Sequence, residues 1–180
     1  MKKTIRKLFW AWRFEEEENW LNEMSAAGLQ LCGVGFCTYH FEEGTPDEYT
    51  YRLEMLDKRP SHAKSVQYIH FLEETGAEHI CSLLRWVYFR KKSDGGAFDL
   101  FSDIDSRISH LNRILLLTGI LSAGNLVNSL NMLLMWLRLD TLTNLIAAIL
   151  CFTVSALLGY GLICTFLKKS KLKKEKLLRE

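Results

Sequence analysis

Residues 114–137, ILLLTGILSAGNLVNSLNMLLMWL, carry no Asp, Glu, Lys, Arg or His, and neither do residues 145–167, LIAAILCFTVSALLGYGLICTFL. At about 1.5 Å per residue, each run is long enough as a helix to cross a hydrocarbon core of about 30 Å. Two consecutive uncharged runs of this length read as transmembrane helices rather than as buried helices of a soluble core. Only Arg138, Leu139, Asp140 and a few polar residues separate them, so they are expected to fold back as an antiparallel hairpin. The net charge of +2 and mean hydropathy of -0.01 are therefore averages over two unlike parts. The parts are a charged, mixed N-terminal half and an apolar C-terminal one.

The ends of the apolar runs set the expected topology. Lys168, Lys169, Lys171, Lys173, Lys174, Lys176 and Arg179 crowd the basic tail, residues 168–180, whereas the connecting turn carries only Arg138. The positive-inside rule then expects a cytoplasmic tail at the cell membrane, and two passes bring the N-terminal domain to the same side. Membrane lipid is an expected partner, with Lys168, Lys169 and Lys171 nearest the headgroups. The apolar stretch at residues 8–12 is too short for a signal-peptide core. Cys32, Cys37, Cys81, Cys151 and Cys164 are odd in number, which fits a reducing compartment for the domain.

Asn125, Asn128 and Asn131 recur every three residues in the first span, and each amide prefers a partner to bare lipid. In the second span Ala147, Cys151, Ser155 and Gly159 place small side chains every four residues, along a stripe that lets another backbone approach. Packing of these two faces within one chain is the first expectation. Association into a homo-oligomer, or a polar path formed with other subunits, are the alternatives.

Residues 1–98 read as an α+β sandwich domain. Large residues alternate at Leu8, Trp10, Trp12 and Phe14, which suggests a strand over residues 4–14. Residues 15–27 form an acidic-started helix that Gly28 ends. Residues 29–41 read as a second strand, with Gly33 and Gly35 hinting at a bulge. Residues 48–56 form a clearly alternating strand. Residues 61–75 are a helix opened by Pro60 and Ser61 and closed by Gly76, and residues 78–92 a last extended segment. The resulting order, βαββαβ, predicts a ferredoxin-like sandwich. A joint at Ser93, Asp94, Gly95 and Gly96 follows, then a helical stalk over residues 99–113 whose start carries a capping box at Ser102 and Asp105.

The sequence holds no phosphate-binding glycine loop, nucleophile elbow, HExxH helix or pair of CxxC knuckles, so no cofactor, metal or catalytic residue is assigned. Cys32 and Cys37, five apart on one expected strand, would face opposite ways. The five histidines are scattered, and the run Glu15–Glu18 reads as a solvated first turn. Acidic residues outnumber basic ones before the second span, which disfavours nucleic acid as a partner. Trp10, Trp12, Trp20, Tyr51, Trp86 and Tyr88 are a rich aromatic set for a domain of this size. Trp12, Trp86 and Tyr88 are the candidates for binding a partner or ligand.

The segments KLFWAWRFEEEENWLNEMSAAGLQL, VGFCTYHFEEGTPDEYTYRLEML, FLEETGAEHICSLLRWVYFRKK and FDLFSDIDSRISHLNRI resemble the domain-of-unknown-function 2812 family of mostly Gram-positive bacteria. The resemblance implies a membrane protein with this N-terminal domain, and a gene neighbourhood that includes PadR-type transcriptional regulators. It brings no catalytic residues with it. The expected function is a non-enzymatic, membrane-tethered regulator or adaptor that binds a protein partner or ligand. The alternative is an accessory subunit of a transporter or export complex.

Overall fold

The computed structural model describes residues 2–93, 98, 100 and 104–179. The joint read at residues 94–96 and the cap read at Ser102 lie outside them. The chain divides into two compact units, Met1–Ser106 and Arg107–Glu180.

The first unit is α+β. It begins with β1 (Lys2–Arg6), a 3-10 turn (Ala11–Arg13) and α1 (Phe14–Ala26). A hairpin of β2 (Leu29–Gly35) and β3 (Thr38–Glu43) follows, and then the same sequence of elements recurs. It comprises β4 (Tyr49–Met55), α2 (Ala63–Glu74), β5 (Glu78–Leu83) and β6 (Trp86–Lys92). The strands make two antiparallel three-stranded sheets with the same order, β1-β3-β2 and β4-β6-β5.

The unit is thus two successive βαββ repeats, and their hairpins superpose in register with a shift of 48 residues. Gly35 pairs with Thr38, as Leu83 pairs with Trp86. A bulge falls between Leu31 and Gly33, and another between His79 and Cys81. Gly28 and Gly76 follow the two helices with φ of +77° and +89°, where a side chain would be strained. Gln30 and Glu78, next in line, face Glu42 and Arg90 across their ladders.

These pairings correct the expected ferredoxin-like order. Residues 29–41 and 78–92 are not single extended segments; each folds back at a two-residue turn, Phe36-Cys37 or Leu84-Arg85. Cys37 and Leu84 take φ of 52° and 57°. Neither turn carries the Asn-Gly or Asp-Gly signal that betrays such a hairpin in a sequence. Cys32 and Cys37 consequently sit at a bulge and in a turn, not on one strand. The first strand stops at Arg6, and Trp10 and Trp12 stack at 5.1 Å and 12° instead of alternating. His62, not Ser61, caps α2, its Nδ1 accepting from the Lys64 amide at 3.2 Å.

The larger core joins both repeats. Trp20 and Leu21 of α1 pack with Leu31, Tyr39 and Phe41 of the first hairpin and with Tyr51, Leu53 and Tyr88 of the second repeat. Tyr39 and Phe41 meet Trp20 edge-on, with ring centroids at 4.9 and 5.7 Å. A smaller cluster of Leu56, Leu72, Ala77, Val87, Phe89, Phe98 and Leu100 lies under the second repeat.

β4 is an edge strand, and α1 closes its open side. Glu18 Oε1 accepts from the Leu53 amide at 2.7 Å, and Asn22 Oδ1 accepts from the Tyr51 amide at 2.7 Å. Asn22 Nδ2 donates to the Tyr51 carbonyl at 3.4 Å, and Ser25 Oγ to the Tyr49 carbonyl at 2.7 Å. Glu18, Asn22 and Ser25 share one face of the helix by their spacing. An edge that would otherwise be open to pairing is thereby satisfied.

The second unit holds α3 (Ile104–Leu139) from Arg107 onward and α4 (Leu142–Arg179), two helices long and apolar enough to cross a membrane. Residues 104–113 and 114–137 belong to one uninterrupted helix, and the basic tail continues α4. Only Asp140 and Thr141 link the helices. Asp140 adopts φ of 48°, a conformation aspartate tolerates better than most residues. Its amide donates to the Trp136 carbonyl at 2.7 Å, ending α3.

Candidate functional site

The most unusual chemistry of the first unit surrounds Glu17. Spacing places Glu17 on the same helical face as Trp20, Leu21 and Met24, so α1 carries a carboxylate into its own apolar stripe. Its Oε1 accepts hydrogen bonds from the phenols of Tyr39 and Tyr88, each at 2.7 Å. Tyr39 comes from the first repeat and Tyr88 from the second, so one oxygen ties the two together. Burial raises the Glu17 pKa above its ordinary value, and the two phenols oppose that rise. Burial first, and then the Glu17 charge, push both tyrosines upward, so they remain donors at physiological pH.

The run Glu15–Glu18 is therefore not the uniformly solvated turn expected from the sequence. Glu15 and Glu16 are exposed, Glu17 is buried, and Glu18 caps β4. The signal was present in the three- and four-residue spacing from Glu17 to Trp20 and Leu21. Counting four acids as one group hides it. A second buried carboxylate, Glu54, accepts from the Tyr68 phenol at 2.7 Å.

This cluster presents hydrogen-bond acceptors and donors, but no activated nucleophile. Burial pushes the nearby Cys81 thiol up to about 11, away from the thiolate form. Among the described residues no three His, Cys, Asp or Glu side chains converge as a metal site would require. His40, His62 and His70 are exposed, His79 is half-buried and His110 is buried.

Of the three aromatic candidates, Trp12 and Tyr88 are buried, at 4% and 3% exposure, and Trp86 is half-buried. Trp86 packs near Phe14, with ring centroids 6.1 Å apart, and Trp12 carries the half-exposed Trp10 on its face. The side chains available to another molecule are elsewhere. Phe36 and Leu84 are 85% and 83% exposed, at matching positions in the two hairpin turns. Phe36 also borders an open groove of about 470 Å³ lined by Arg6, Lys7, Leu8, Cys37 and Thr38. The Lys7 ammonium lies over the Trp20 ring at 4.6 Å.

In the second unit, the small-residue stripe meets hydroxyls more than amides. Ser122 and Ser155 each donate to the other's backbone carbonyl, and Ser129 Oγ donates to the Ala148 carbonyl at 2.9 Å. Asn128 Nδ2 reaches Cys151 Sγ at 3.2 Å, while Asn125 bonds back to its own helix at the Leu121 carbonyl. Asn131 is exposed, and Ala147 is half-buried. A Cβ added at Gly159 would meet nothing within 4 Å, so the helices do not crowd there. Lys168 and Lys169 are half-buried and Lys171 is exposed, all on α4.

No curated protein and no solved structure matches this chain. The family model described as "Protein of unknown function (DUF2812)" matches residues 13–123. That match runs through α1, both hairpins, α2 and into α3. The chain belongs to the DUF2812 family of proteins of unknown function.

Proposed function

We propose that this chain is a two-pass protein of the cell membrane whose N-terminal α+β unit is a non-enzymatic adaptor or regulator facing the cytoplasm. The observation that carries the recruiting role is the pair of exposed apolar turn residues, Phe36 and Leu84, repeated on a head whose large aromatics are otherwise mostly interior. Two helices of 36 and 38 residues support the tether. The lysines after residue 167, against a single arginine in the turn, support cytoplasmic ends. A protein partner suits the turn residues, because exposed apolar side chains at fixed points are anchors for a complementary pocket. The PadR-type regulators implied by the family resemblance are the first soluble partners to assay, alongside anionic lipid for the tail.

The test is affinity purification of the full chain from membranes, in native form, with Phe36→Ser and Leu84→Ser combined, and with the hairpin replaced by an unrelated two-span anchor. Partners that survive the anchor swap and vanish with the two turn substitutions support the adaptor. Partners unaffected by the turn substitutions remove its basis.

One observation favours a second reading, an accessory subunit of a transporter or export complex. Asn128 and Asn131 are exposed on a helix of membrane-spanning length. Under that reading the partners vanish with the anchor swap.

A further inference from the structure

Residues Leu121, Gly124, Asn128, Asn131 and Met135 recur along α3 at alternating steps of three and four, the spacing of a coiled-coil seam. All five are exposed, and the serines that bond α4, Ser122 and Ser129, lie on a different face. α3 thus has an inner seam, used by α4, and an outer one that α4 reaches only at its margin, where Asn128 Nδ2 meets Cys151 Sγ.

We propose that the outer seam pairs α3 with α3 of a second copy of this chain, through Asn131 and Asn128. This rests on the reading that α3 spans the membrane. Among the described residues the Asn131 side chain makes no hydrogen bond, and Asn128 Oδ1 accepts none; the single bond of Asn128 goes to a thiol sulfur, a weak acceptor. Asn131 lies six residues inside Leu137, about 9 Å along the helix at about 1.5 Å per residue, where lipid supplies no donor or acceptor. An amide left unmet in such a medium is costly, and a neighbouring helix that offers a donor or acceptor relieves that cost.

A second copy suits this seam because a carboxamide is both donor and acceptor. Two chains inserted with the same topology hold their α3 helices parallel, so a twofold axis along the membrane normal brings Asn131 opposite Asn131 at equal depth. The same group then supplies both halves of the bond, as an isologous interface requires. Gly124 sits on the same stripe, and a Cβ built there meets nothing within 4 Å, so the two backbones are free to approach.

The experiment uses the full chain, tagged at its C-terminus with donor or acceptor fluorophore and reconstituted into phosphatidylcholine vesicles with a phosphatidylglycerol fraction. Energy transfer is followed as protein is diluted into lipid. Transfer well above the random-proximity level is expected for the native chain. Asn128→Leu combined with Asn131→Leu should weaken association at least tenfold, while Asn131→Gln retains most of it. Leucine favours insertion, so loss of transfer in the double variant does not reflect a failure to enter the bilayer. Random-level transfer in the native chain, or transfer indifferent to the leucines, overturns the pairing; native transfer at random level is also the result if a different protein covers this seam. Alkaline carbonate extraction separates the two claims. Release from the membrane sinks the spanning reading and the pairing with it, whereas retention with random transfer sinks the pairing alone.

Discussion

Ser122 and Ser155 hold α3 to α4 by a reciprocal exchange: each hydroxyl donates to the other's backbone carbonyl, at 3.1 and 3.0 Å. Because both bonds form at one crossing point, they should be coupled. In a double-mutant cycle with Ser122→Ala and Ser155→Ala, followed by thermal unfolding of the detergent-solubilised chain, each single variant is expected to lose about 1 kcal/mol. The double variant should lose less than the sum. Gly159→Leu, placed where the hairpin leaves room, should cost little. Strict additivity of the serines, or a larger loss at Gly159, would contradict this seam.

The Glu17 carboxyl should make the head pH-sensitive in a defined direction. Its folded pKa lies above the ordinary value of 4.5, so the folded state holds that proton more tightly than the unfolded chain does. Its favourable contribution is present at low pH and fades as the pH rises through the folded pKa. Glu17→Gln keeps the acceptor for Tyr39 and Tyr88 without the charge. The thermal midpoint of the variant, relative to native, should therefore rise from pH 5 to pH 8. A fall over that range would mean that the ionised form is the preferred one.

Trp12 and Phe36 should separate core from recruiting surface. Trp12 is 4% exposed and Phe36 85% exposed. Trp12→Ala is expected to cost about 3–5 kcal/mol of stability. Phe36→Ser should leave the thermal midpoint within a degree or two and reduce partner capture. If Phe36→Ser destabilises as much as Trp12→Ala, the turn residue is structural and not an anchor.

The two repeats also predict unequal sensitivity at equivalent glycines. Gly28→Ala and Gly76→Ala both place a side chain at positive φ, a strain of about 1–2 kcal/mol. At Gly28 the new Cβ also falls 3.2 Å from the Gly44 carbonyl oxygen, whereas at Gly76 it meets only the flexible Lys91 side chain at 3.8 Å. Denaturation of the two variants should rank Gly28→Ala as the more damaging, and the reverse order would place the tighter turn in the second repeat.

How much of this was legible depended on whether the signal was local. Both helices ended by glycine and the alternating strand at Tyr49–Met55 were readable, because period and terminator lie within a dozen residues. The long apolar helices were readable for the same reason, although each extends past its uncharged core. The hairpins at Phe36-Cys37 and Leu84-Arg85 were not, since none of these four residues is the Gly, Asn or Asp by which such turns usually advertise themselves. The repeat was hidden as well. Gly28 and Gly76, or Phe41 and Phe89, match across it, but Glu17 corresponds to Ser65 and Tyr39 to Val87. The buried carboxylate is thus a departure from the repeat; its helical spacing to Trp20 and Leu21 marks it for burial, while the two phenols that meet it come together only in space.

The bonds that Glu18, Asn22 and Ser25 send from α1 to β4 have a consequence for how the head is made. A nascent chain that has delivered only the first repeat holds a helix whose polar face has no strand to satisfy, and Trp20 and Leu21 without Tyr51, Leu53 and Tyr88 to cover them. That intermediate has little reason to settle before residues 49–55 leave the ribosome. The two halves, alike in plan, are therefore not independent modules to be released, shuffled or clipped apart. They complete each other late in synthesis, and the finished head is expected to come undone in a single all-or-none step.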